Sequence, residues 1–432
     1  MSLQIYNQKN RRQAAAFERL RAQLSTGTSA LAAAAVRRIV ADVKRRGVPA
    51  VVHYTRKFDG IALNKRRLRL TDSQIRSGFE RTAQPVRGAL KKAIANVRAY
   101  QKKILLKDPA PLRRAGITLG LRYTPIDRVG LYIPGGAASY PSTLVMLAVP
   151  AQTAGVRRIA LCCPAGREGK VNDAVLAAAS LLNLDEIYPI GGAQSVAAMA
   201  YGAGMQGVDF IAGPGNVYVQ LAKAIVAPNV GIDSFAGPSE IVLIADRWAK
   251  PEFLAADMLA QAEHSPGAAI LLTDSTRLAE RVADEVAVQL SSSGRKTLLE
   301  KTLRKWSAIC VTPSIAAAVE LSNTIAPEHL SIQCKQARKI AAACRHAGAT
   351  FIGPYSPVAV GDYWAGPSHC LPTASTARFC AGVTANTFRK SSSIIEYNKR
   401  ALNQAAAGIK ALATAESLDA HATSIKVREG KK

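Results

Sequence analysis

Two short segments place a carboxylate next to an imidazole, Gln261-Ala-Glu-His264 and Ala326-Pro-Glu-His-Leu330. A neutral imidazole binds divalent metals, and the same side chain transfers protons near pH 7. The chain has only six histidines, and four of them lie in polar, glycine-rich or acidic contexts of the C-terminal half: His264, His329, His369 and His421. These residues predict one zinc-assisted acid/base site that is assembled from distant parts of the chain.

Length and composition set the class of protein in which such a site would lie. A chain of 432 residues is too long for one core and predicts two or more domains. The apolar fraction of 48% and the 31 glycines are typical of a soluble α/β protein, and no apolar run reaches the ~20 residues that span a bilayer. The first residues lack the apolar stretch of a signal peptide. Seven cysteines without paired spacing indicate reduced thiols, so we expect a cytoplasmic protein without membrane contact.

The positive charge is concentrated near the N-terminus. The formal net charge is +27, and residues 1–122 hold 28 of the 57 Lys and Arg but only 6 of the 30 Asp and Glu. An excess of this size could attract nucleic acid or an anionic surface. The basic residues recur at helical spacing, however, and do not form one block with aromatic residues. They predict a solvated basic face, and no nucleic-acid partner is expected.

The pattern of apolar residues divides the chain into regions that must position the site. Residues 5–23 predict a polar helical arm, and residues 28–110 predict amphipathic helices. From about residue 128, short apolar runs alternate with glycine-rich loops and alanine-rich helices, which is typical of parallel sheets. We expect two α/β sheets with a break near 236–240, and helices with a short strand at 424–428 near the C-terminus. The runs that predict strands are 129–133, 158–162, 186–190, 208–212, 240–245, 268–273 and 349–352.

Three of these strands run into glycine-rich loops, Pro134-Gly-Gly136, Gly191-Gly-Ala-Gln194 and Gly213-Pro-Gly-Asn216. Ligands bind at the carboxyl ends of strands in open α/β sheets, and glycine lets the backbone approach a phosphate. The complete G-x-G-x-x-G fingerprint is absent. The residues alone therefore leave two interpretations open, a nucleotide site and simple tight turns.

A series of longer motifs resembles one known family. Residues from about 20 to 428 are similar to the histidinol dehydrogenases, and the number and order of the matching motifs make the resemblance specific. The motifs are Arg128-Val-Gly-Leu-Tyr-Ile-Pro-Gly-Gly136, Gly191-Gly-Ala-Gln-Ser-Val-Ala197, Gly213-Pro-Gly-Asn-Val-Tyr218, Ala236-Gly-Pro-Ser-Glu240, Asp257-Met-Leu-Ala-Gln-Ala-Glu-His264, Ala326-Pro-Glu-His-Leu330, Val360-Gly-Asp362, Ala365-Gly-Pro-Ser-His369 and Glu416-Ser-Leu-Asp-Ala-His421.

The resemblance implies a role for each site residue. It implies that Glu328 and His329 are the acid/base pair, and that Tyr132, Gln194 and Asn216 contact NAD. One Zn²⁺ per subunit would be bound by Gln261, His264, Asp362 and His421. Residue type alone would favour Glu263 over glutamine as a zinc ligand, but helical geometry directs Glu263 away from the face that Gln261 and His264 share. The substrate-binding residues would be Ser239, Gln261, His264, His329, Asp362, His369, Glu416 and His421.

The family's fold implies an α/β chain of two incomplete Rossmann-like domains, with parallel sheets flanked by helices. An N-terminal helical arm would span 1–23, and a catalytic, zinc-binding domain 24–128 with 239–383. The NAD-binding domain would span 129–238, and a C-terminal dimerisation segment 384–432. The resemblance further implies a domain-swapped homodimer in which Glu416 and His421 complete the partner's site.

The activity that the resemblance implies is zinc-dependent, four-electron oxidation of L-histidinol to L-histidine through L-histidinaldehyde, with two NAD⁺, at the end of histidine biosynthesis. Many family members have Thr-Gly-Gly-Thr-Ala-Arg-Phe where this chain has Thr373-Ala-Ser-Thr-Ala-Arg-Phe379. This difference leaves open a paralogous NAD- and zinc-dependent dehydrogenase of another small polar alcohol. A zinc hydrolase is a third interpretation, although H-E-x-x-H is absent and hydrolysis does not require the three glycine-rich loops.

Overall fold

The protein is described by a computed structural model at residues 3–25, 30–63, 68–135, 140–166, 168–234, 237–264 and 267–429. The chain divides into two compact units. The larger unit comprises Met1–Ile104 and Ile126–Phe388, and the smaller unit comprises Leu105–Pro125 and Arg389–Lys432.

The larger unit contains a six-stranded, fully parallel sheet. Its strands lie in the order β1-β11-β10-β9-β12-β13. Their central members are continuous apolar runs, as expected for parallel strands that are covered on both faces. The bounds are β1 (Ile5–Asn7), β9 (Ser239–Ala245), β10 (Gly267–Thr273), β11 (Ala308–Val311), β12 (His329–Gln333) and β13 (Ala349–Ile352).

A second parallel sheet, of five strands, lies in the same unit in the order β6-β5-β4-β7-β8. The predicted change from one sheet to the other near 236–240 is confirmed, because the last strand of this sheet ends at Ile232 and β9 begins at Ser239. The bounds are β4 (Arg128–Tyr132), β5 (Arg158–Cys162), β6 (Ile187–Tyr188), β7 (Phe210–Ala212) and β8 (Gly231–Ile232).

Helices cover both sheets of the larger unit. They are α1 (Arg11–Ser25), α2 (Ala30–Arg46), α3 (Val48–Asp59), α4 (Asp72–Arg81), α5 (Gln84–Ile104), α6 (Pro141–Ala154), α7 (Asp173–Leu181), α8 (Gly192–Tyr201), α9 (Val217–Val226), α10 (Pro251–Ala262), α11 (Thr276–Ser291), α12 (Lys296–Trp306), α13 (Ile315–Ile325), α14 (Ala337–Ala343) and α15 (Val358–Tyr363). Short 3₁₀ turns follow at Thr376–Arg378 and Ala385–Phe388. None of the helices in the described ranges is long and apolar enough to cross a membrane.

The apolar core consists of separate layers that hold these helices on the sheets. The predicted apolar stripe of α2 is buried, and it packs with α3, α8 and α9 against the five-stranded sheet. Helices α10, α11 and α12 share a core with one face of the six-stranded sheet, and α1, α13 and α14 share a core with the other. Both sheets therefore have the helix-flanked, parallel architecture of the predicted α/β class.

The predicted N-terminal arm is more than a helix. Helix α1 accounts for most of it, but strand β1 comes first and pairs with β11 at the edge of the six-stranded sheet. A strand of three residues is too short to give a recognisable apolar pattern.

The smaller unit is an antiparallel sheet with two helices. Its strands lie in the order β14-β3-β2, and β14 pairs with β3 along nine residues. The predicted strand at 424–428 is wrong, because these residues belong to the last helix. Asp419 in its first turn and Lys426 and Arg428 in its last turn suit the helix dipole. The bounds are β2 (Leu112–Arg114), β3 (Ile117–Pro125), β14 (Arg389–Tyr397), α16 (Lys399–Ala415) and α17 (Asp419–Glu429).

Candidate active site

The adjacent pair Glu328 and His329 lies at the start of β12, in the interior of the larger unit. The chain enters the six-stranded sheet at His329, two residues after Pro327. Ala326 follows the last residue of helix α13 in a left-handed conformation, with φ of 50°, which turns the chain toward the strand. Both side chains are buried, with 9% of the Glu328 side chain and 4% of the His329 side chain exposed.

Two donors hold the carboxyl of Glu328. Ser239 Oγ donates a hydrogen bond to Oε2 over 2.6 Å, and the backbone amide of Glu240 donates to the same oxygen over 3.0 Å. Burial raises the pKa of Glu328 to about 7, and these two hydrogen bonds oppose the rise. A carboxyl with a pKa near neutrality can take up and release a proton under physiological conditions.

The imidazole of His329 has one nitrogen bound and one nitrogen available. Its Nδ1 lies 3.2 Å from the carbonyl oxygen of Glu240, which can only accept, so Nδ1 carries the hydrogen. Its Nε2 is buried without a hydrogen-bond partner in the part of the chain that the structure describes. Burial lowers the pKa of His329, which favours the neutral ring with a free lone pair on Nε2.

Asp362 and two further imidazoles lie close to His329. Asp362 Oδ1 is 3.9 Å from His329 Nε2 and 4.0 Å from His369 Nδ1. His369 donates from Nδ1 to the Asp362 carbonyl over 2.9 Å, so its Nε2 accepts from Thr143 Oγ1 at 3.0 Å. Burial is the main cause that lowers the pKa of His369 to about 4, and the charges of His329 and His264 lower it further. Desolvation and the charge of His329 also lower the pKa of His264, although its side chain is solvent-exposed.

The predicted zinc ligands of the larger unit converge on this region. Gln261, in the last turn of α10, is buried and donates from Nε2 to Ser239 Oγ over 2.7 Å. His264 lies two residues beyond the last residue of α10. It therefore does not share a helix face with Gln261, contrary to the prediction from the spacing. Glu263 caps the helix and is exposed. Burial raises the pKa of Asp362 to about 6, against the charge of His329.

The donor types suit zinc, but the side chains are not preassembled around one point. Within the described ranges, no group of three or more His, Cys, Asp or Glu side chains is arranged to hold a metal ion. The set in this unit contains one imidazole, one carboxylate and one amide, which is one ligand short of a tetrahedral site. The fourth predicted ligand, His421, belongs to the smaller unit.

The predicted substrate and zinc residues of the smaller unit are solvent-exposed. Glu416 follows the last residue of α16, and His421 lies in the first turns of α17. Neither side chain has an ion-pair partner within the described part of the chain.

The three predicted NAD contacts all lie at the carboxyl ends of strands in the five-stranded sheet. Tyr132 ends β4, Gln194 lies in the first turn of α8, and Asn216 precedes α9 after β7. The Tyr132 hydroxyl accepts from the Gly192 amide over 3.3 Å, and burial raises the pKa of this phenol above its usual value. These positions match the edge at which open α/β sheets bind ligands.

Two observations bear on whether this edge fits a nucleotide. Gln194 is almost fully buried, and its Nε2 has no hydrogen-bond partner among the described residues, as expected for a donor that awaits a ligand. The side-chain oxygen of Asn216, by contrast, already caps α9 by accepting hydrogen bonds from the backbone amides of Tyr218 and Val219. The residues therefore fit a dinucleotide, with Asn216 also ordering the helix start.

Sequence reasoning missed the structural importance of Glu240. Its amide and carbonyl hold Glu328 and His329, and its own buried carboxyl accepts from the amide of Ala374 over 3.0 Å. Burial and the charge of Glu328 raise the pKa of Glu240 to about 8. Glu240 lies beside Ser239 in the Ala236–Glu240 motif, so the motif could have indicated it, but only Ser239 was predicted from that motif.

Known proteins share this arrangement of sheets over nearly the whole chain. A family model described as histidinol dehydrogenase matches residues 23–429. This chain belongs to the histidinol dehydrogenase family. The histidinol dehydrogenase of Synechococcus sp. is 46% identical over 398 residues, which cover 92% of each chain. Histidinol dehydrogenase 2 of Nostoc sp. is 47% identical over 397 residues, or 91% of this chain and 92% of the relative.

A solved structure of the histidinol dehydrogenase family supports the same conclusion. The crystal structure of histidinol dehydrogenase from Elizabethkingia anophelis superposes with a TM-score of 0.91 at 32% identity, and it covers 99% of this chain and 98% of its own. The family and the α/β fold class predicted from the motifs are therefore confirmed. Histidinol dehydrogenases are oxidoreductases, which is the coarse functional class that this membership gives.

Proposed function

We propose that this protein oxidises L-histidinol to L-histidine through L-histidinaldehyde, a four-electron oxidation that uses two NAD⁺ and one Zn²⁺ and ends histidine biosynthesis. The observation that carries the proposal is the pair at the start of β12. There, Nε2 of His329, which has no hydrogen-bond partner among the described residues, lies with the carboxyl of Glu328 in a buried site. An alcohol dehydrogenase needs such a base, because a proton must leave the hydroxyl as hydride leaves carbon.

His329 is the proposed base of the first oxidation. The Glu240 carbonyl fixes the hydrogen of the ring on Nδ1, which leaves the Nε2 lone pair for the substrate hydroxyl. The carbon of histidinol loses a hydride to NAD⁺, and His329 takes the hydroxyl proton, so the products are the aldehyde, NADH and one proton.

Glu328 is the proposed acid/base group of the second oxidation. The aldehyde must add water before a second hydride can leave, and a carboxylate that is held by Ser239 and the Glu240 amide can accept the proton of that water. The hydrate would lose its hydride to a second NAD⁺ and its hydroxyl protons to His329 and to water, which would give the carboxylate of histidine, NADH and two protons.

Gln261, His264 and Asp362, together with His421, are the proposed zinc ligands. The lowered pKa of His264 favours the neutral imidazole that a metal requires. The hydrogen bond from Gln261 Nε2 to Ser239 orients the amide so that Oε1 is the group left for a cation. When bound, zinc would supply a Lewis acid that anchors the amino alcohol.

Substrate and cofactor contacts complete the proposal. Ser239 and His369 would contact the polar atoms of histidinol, and Glu416 would pair with its ammonium group. The proposed domains are an N-terminal arm at 1–23, a catalytic domain at 24–128 with 239–383, an NAD-binding domain at 129–238 and a C-terminal segment at 384–432. NAD⁺ would bind to the NAD-binding domain through Tyr132, Gln194 and Asn216. Seven free cysteines suit the proposed cytoplasmic location.

A domain-swapped homodimer is the proposed assembly. The smaller unit exposes large apolar side chains that water disfavours, with exposed fractions of 72% for Ile395, 68% for Leu412 and 69% for Val427. A second copy of the chain would cover such side chains. In that dimer, Glu416 and His421 of each chain would complete the site of its partner.

The test is to count NADH per L-histidinol consumed, with and without a chelator. We expect two NADH per histidinol, loss of turnover on chelation and recovery with Zn²⁺. If the folded, zinc-loaded protein does not reduce NAD⁺ with L-histidinol but does so with another small polar alcohol, the paralogue replaces this proposal. If it shows only chelator-sensitive hydrolysis without NADH formation, a zinc hydrolase replaces it.

A further inference from the structure

A buried ion pair lies beneath the glycine-rich loop that follows β7. Lys223, on the second turn of α9, forms an ion pair with Asp233, just after β8, and their side chains are 1% and 4% exposed. A buried pair of charges loses its hydration, and this loss often cancels the attraction between the charges. Burial of this pair is therefore weak evidence that it stabilises the fold. Its other contacts indicate more directly what the pair does.

Both charges also bind the backbone of one glycine. Lys223 Nζ donates to the Gly213 carbonyl over 3.0 Å, and the Gly213 amide donates to Asp233 Oδ2 over 2.8 Å. The second oxygen, Oδ1, accepts from the Ser234 amide over 2.8 Å. Lys223, Asp233 and Gly213 thus form a closed ring of charge-assisted contacts, which are stronger than neutral hydrogen bonds.

The glycine in this ring lies directly against a proposed cofactor residue. Gly213 has a φ of 137°, and a Cβ at this position would lie 2.1 Å from the carbonyl oxygen of Tyr132. Three residues later, Asn216 caps α9, the helix that carries Lys223. The ring therefore joins the segment of Tyr132 to the segment of Asn216, two of the three proposed NAD contacts.

We propose that Lys223 and Asp233 are positioning residues for NAD⁺, because their ion pair fixes the 213–216 loop against Tyr132 through both backbone groups of Gly213. They act through the loop and do not touch the reacting atoms. This inference rests on the proposed function, in which the loop contacts NAD⁺.

The test uses the double variant Lys223→Met/Asp233→Asn in the full chain, which removes the ion pair without leaving a buried charge alone. We expect the dissociation constant and the KM for NAD⁺ to rise roughly tenfold, about 1.4 kcal/mol, with the KM for L-histidinol unchanged. NAD⁺ binding is measured by calorimetry without histidinol, so that it does not depend on turnover.

The matched control is a partly buried ion pair at the same sheet, between Arg128 and Glu186. It lies at the amino end of β4, opposite to the loop, so Arg128→Met/Glu186→Gln should lower stability without changing NAD⁺ affinity. A folded Lys223/Asp233 variant with wild-type NAD⁺ affinity overturns the proposal. An equal loss of NAD⁺ affinity in the control variant also overturns it.

A further single variant covers failure of the double variant to fold. Lys223→Arg keeps both charges, so neither is left alone, but it displaces the donor from the Gly213 carbonyl, and we expect a smaller rise that is again confined to NAD⁺. An unchanged KM for NAD⁺ in this folded variant would overturn the proposal. If the wild-type protein does not reduce NAD⁺ with L-histidinol, the proposed function itself is contradicted. If the wild type turns over and the variants bind NAD⁺ as tightly as the wild type, only the role of the ion pair is contradicted.

Discussion

Glu328 has contacts that suit a group needed in only one of two oxidation steps. Its carboxyl is buried, and Ser239 and the Glu240 amide both donate to Oε2. We expect Glu328→Gln to lower the rate of aldehyde oxidation by roughly 10²–10⁴-fold, because glutamine keeps the shape but cannot accept the proton of water. The measurement is NADH per L-histidinol, which should fall from two toward one while a carbonyl reagent traps aldehyde.

Glu263 provides the control for this prediction. It is a carboxylate two residues from Gln261, but it caps α10 and is exposed. Glu263→Gln should leave both the rate and the stoichiometry of NADH formation unchanged. If Glu328→Gln still forms two NADH at the wild-type rate, Glu328 does not activate the water.

Ala374 and Ser375 adopt backbone angles that cost energy for any residue with a Cβ. Their φ values are 53° and 64°, in the left-handed region that glycine adopts freely. We expect Ala374→Gly to raise the free energy of unfolding by about 0.5–1 kcal/mol, since relief of strain exceeds the added entropy of the unfolded chain. Urea denaturation measures this change.

Ser375→Gly should stabilise the protein less than Ala374→Gly. The Ser375 hydroxyl donates to the carbonyl of Ile325 over 2.7 Å, and glycine loses this hydrogen bond. Ala341→Gly, inside α14, is the control and should destabilise by about 1 kcal/mol. A destabilised Ala374→Gly variant would show that the turn is not strained.

The sequence allowed prediction of the residues that carry chemistry better than of those that hold them. Glu328 and His329 are adjacent, so the pair is visible in a single motif. Their contacts with Ser239 and Glu240 arise because β9 and β12 pair in parallel, with Ile241 opposite His329. That neighbourhood depends on strand order across 89 residues of chain, which no local pattern encodes.

At the scale of elements, α10 carries a partly buried acid that does not belong to the proposed site. Gln333 donates to Asp257 over 2.9 Å, and burial raises the pKa of Asp257 from 3.8 to about 6. The folded protein therefore binds this proton more tightly than the unfolded chain. Stability from this group is fully present below about pH 4 and is lost as pH rises through about 6.

Asp257→Asn should abolish that loss, because asparagine keeps an oxygen for Gln333 and carries no charge. We expect the variant to be more stable than the wild type by ~1–2 kcal/mol at about pH 8, and by less at about pH 5. Urea denaturation at both pH values measures the difference. Asp284→Asn, at an exposed position of α11, should show no such pH dependence. A gain that is equal at both pH values would refute the assignment to Asp257.

Strands with both faces buried were predictable, and strands that are mostly exposed were not. The strands β9 and β10 are mostly apolar and buried, so their existence, and their bounds to within one residue, follow from composition. Strand β14 contains Arg389, Lys390 and three serines, and it pairs with β3 more than 260 residues earlier in the chain. Its stability comes from that distant partner, which explains why the C-terminal region was assigned one wrong strand at 424–428.

At the scale of the whole molecule, the larger unit contains the proposed acid/base pair but only part of the proposed ligand set. Glu328, His329 and Asp362 lie together there, whereas Glu416 and His421 belong to the smaller unit. Their adjacency in the Glu416–His421 motif was visible in the sequence. Whether Glu416 and His421 serve the site of their own chain or that of a partner depends on the assembly. Neither composition nor periodicity encodes that choice.

Subunit mixing tests the proposed exchange of C-terminal segments. His329→Asn and His421→Asn should each be inactive as pure dimers, because every site lacks either its base or a zinc ligand. In a swapped hybrid dimer, one site carries both substitutions and the other carries neither. Denaturing and refolding the two variants together should therefore restore about a quarter of wild-type activity, since about half of the dimers are hybrids with one intact site.

The same mixture gives the opposite result if each chain completes its own site. Every site would then contain one of the two substitutions, and refolded mixtures would stay inactive at any ratio. Mixing His329→Asn with Glu328→Gln is the matched control when activity is measured as formation of L-histidine, which needs both residues in one site. Both positions lie in the same unit, so an exchange of C-terminal segments cannot produce a site that is intact at both. Recovery with His421→Asn but not with Glu328→Gln thus identifies the C-terminal segment as the part contributed by the partner chain.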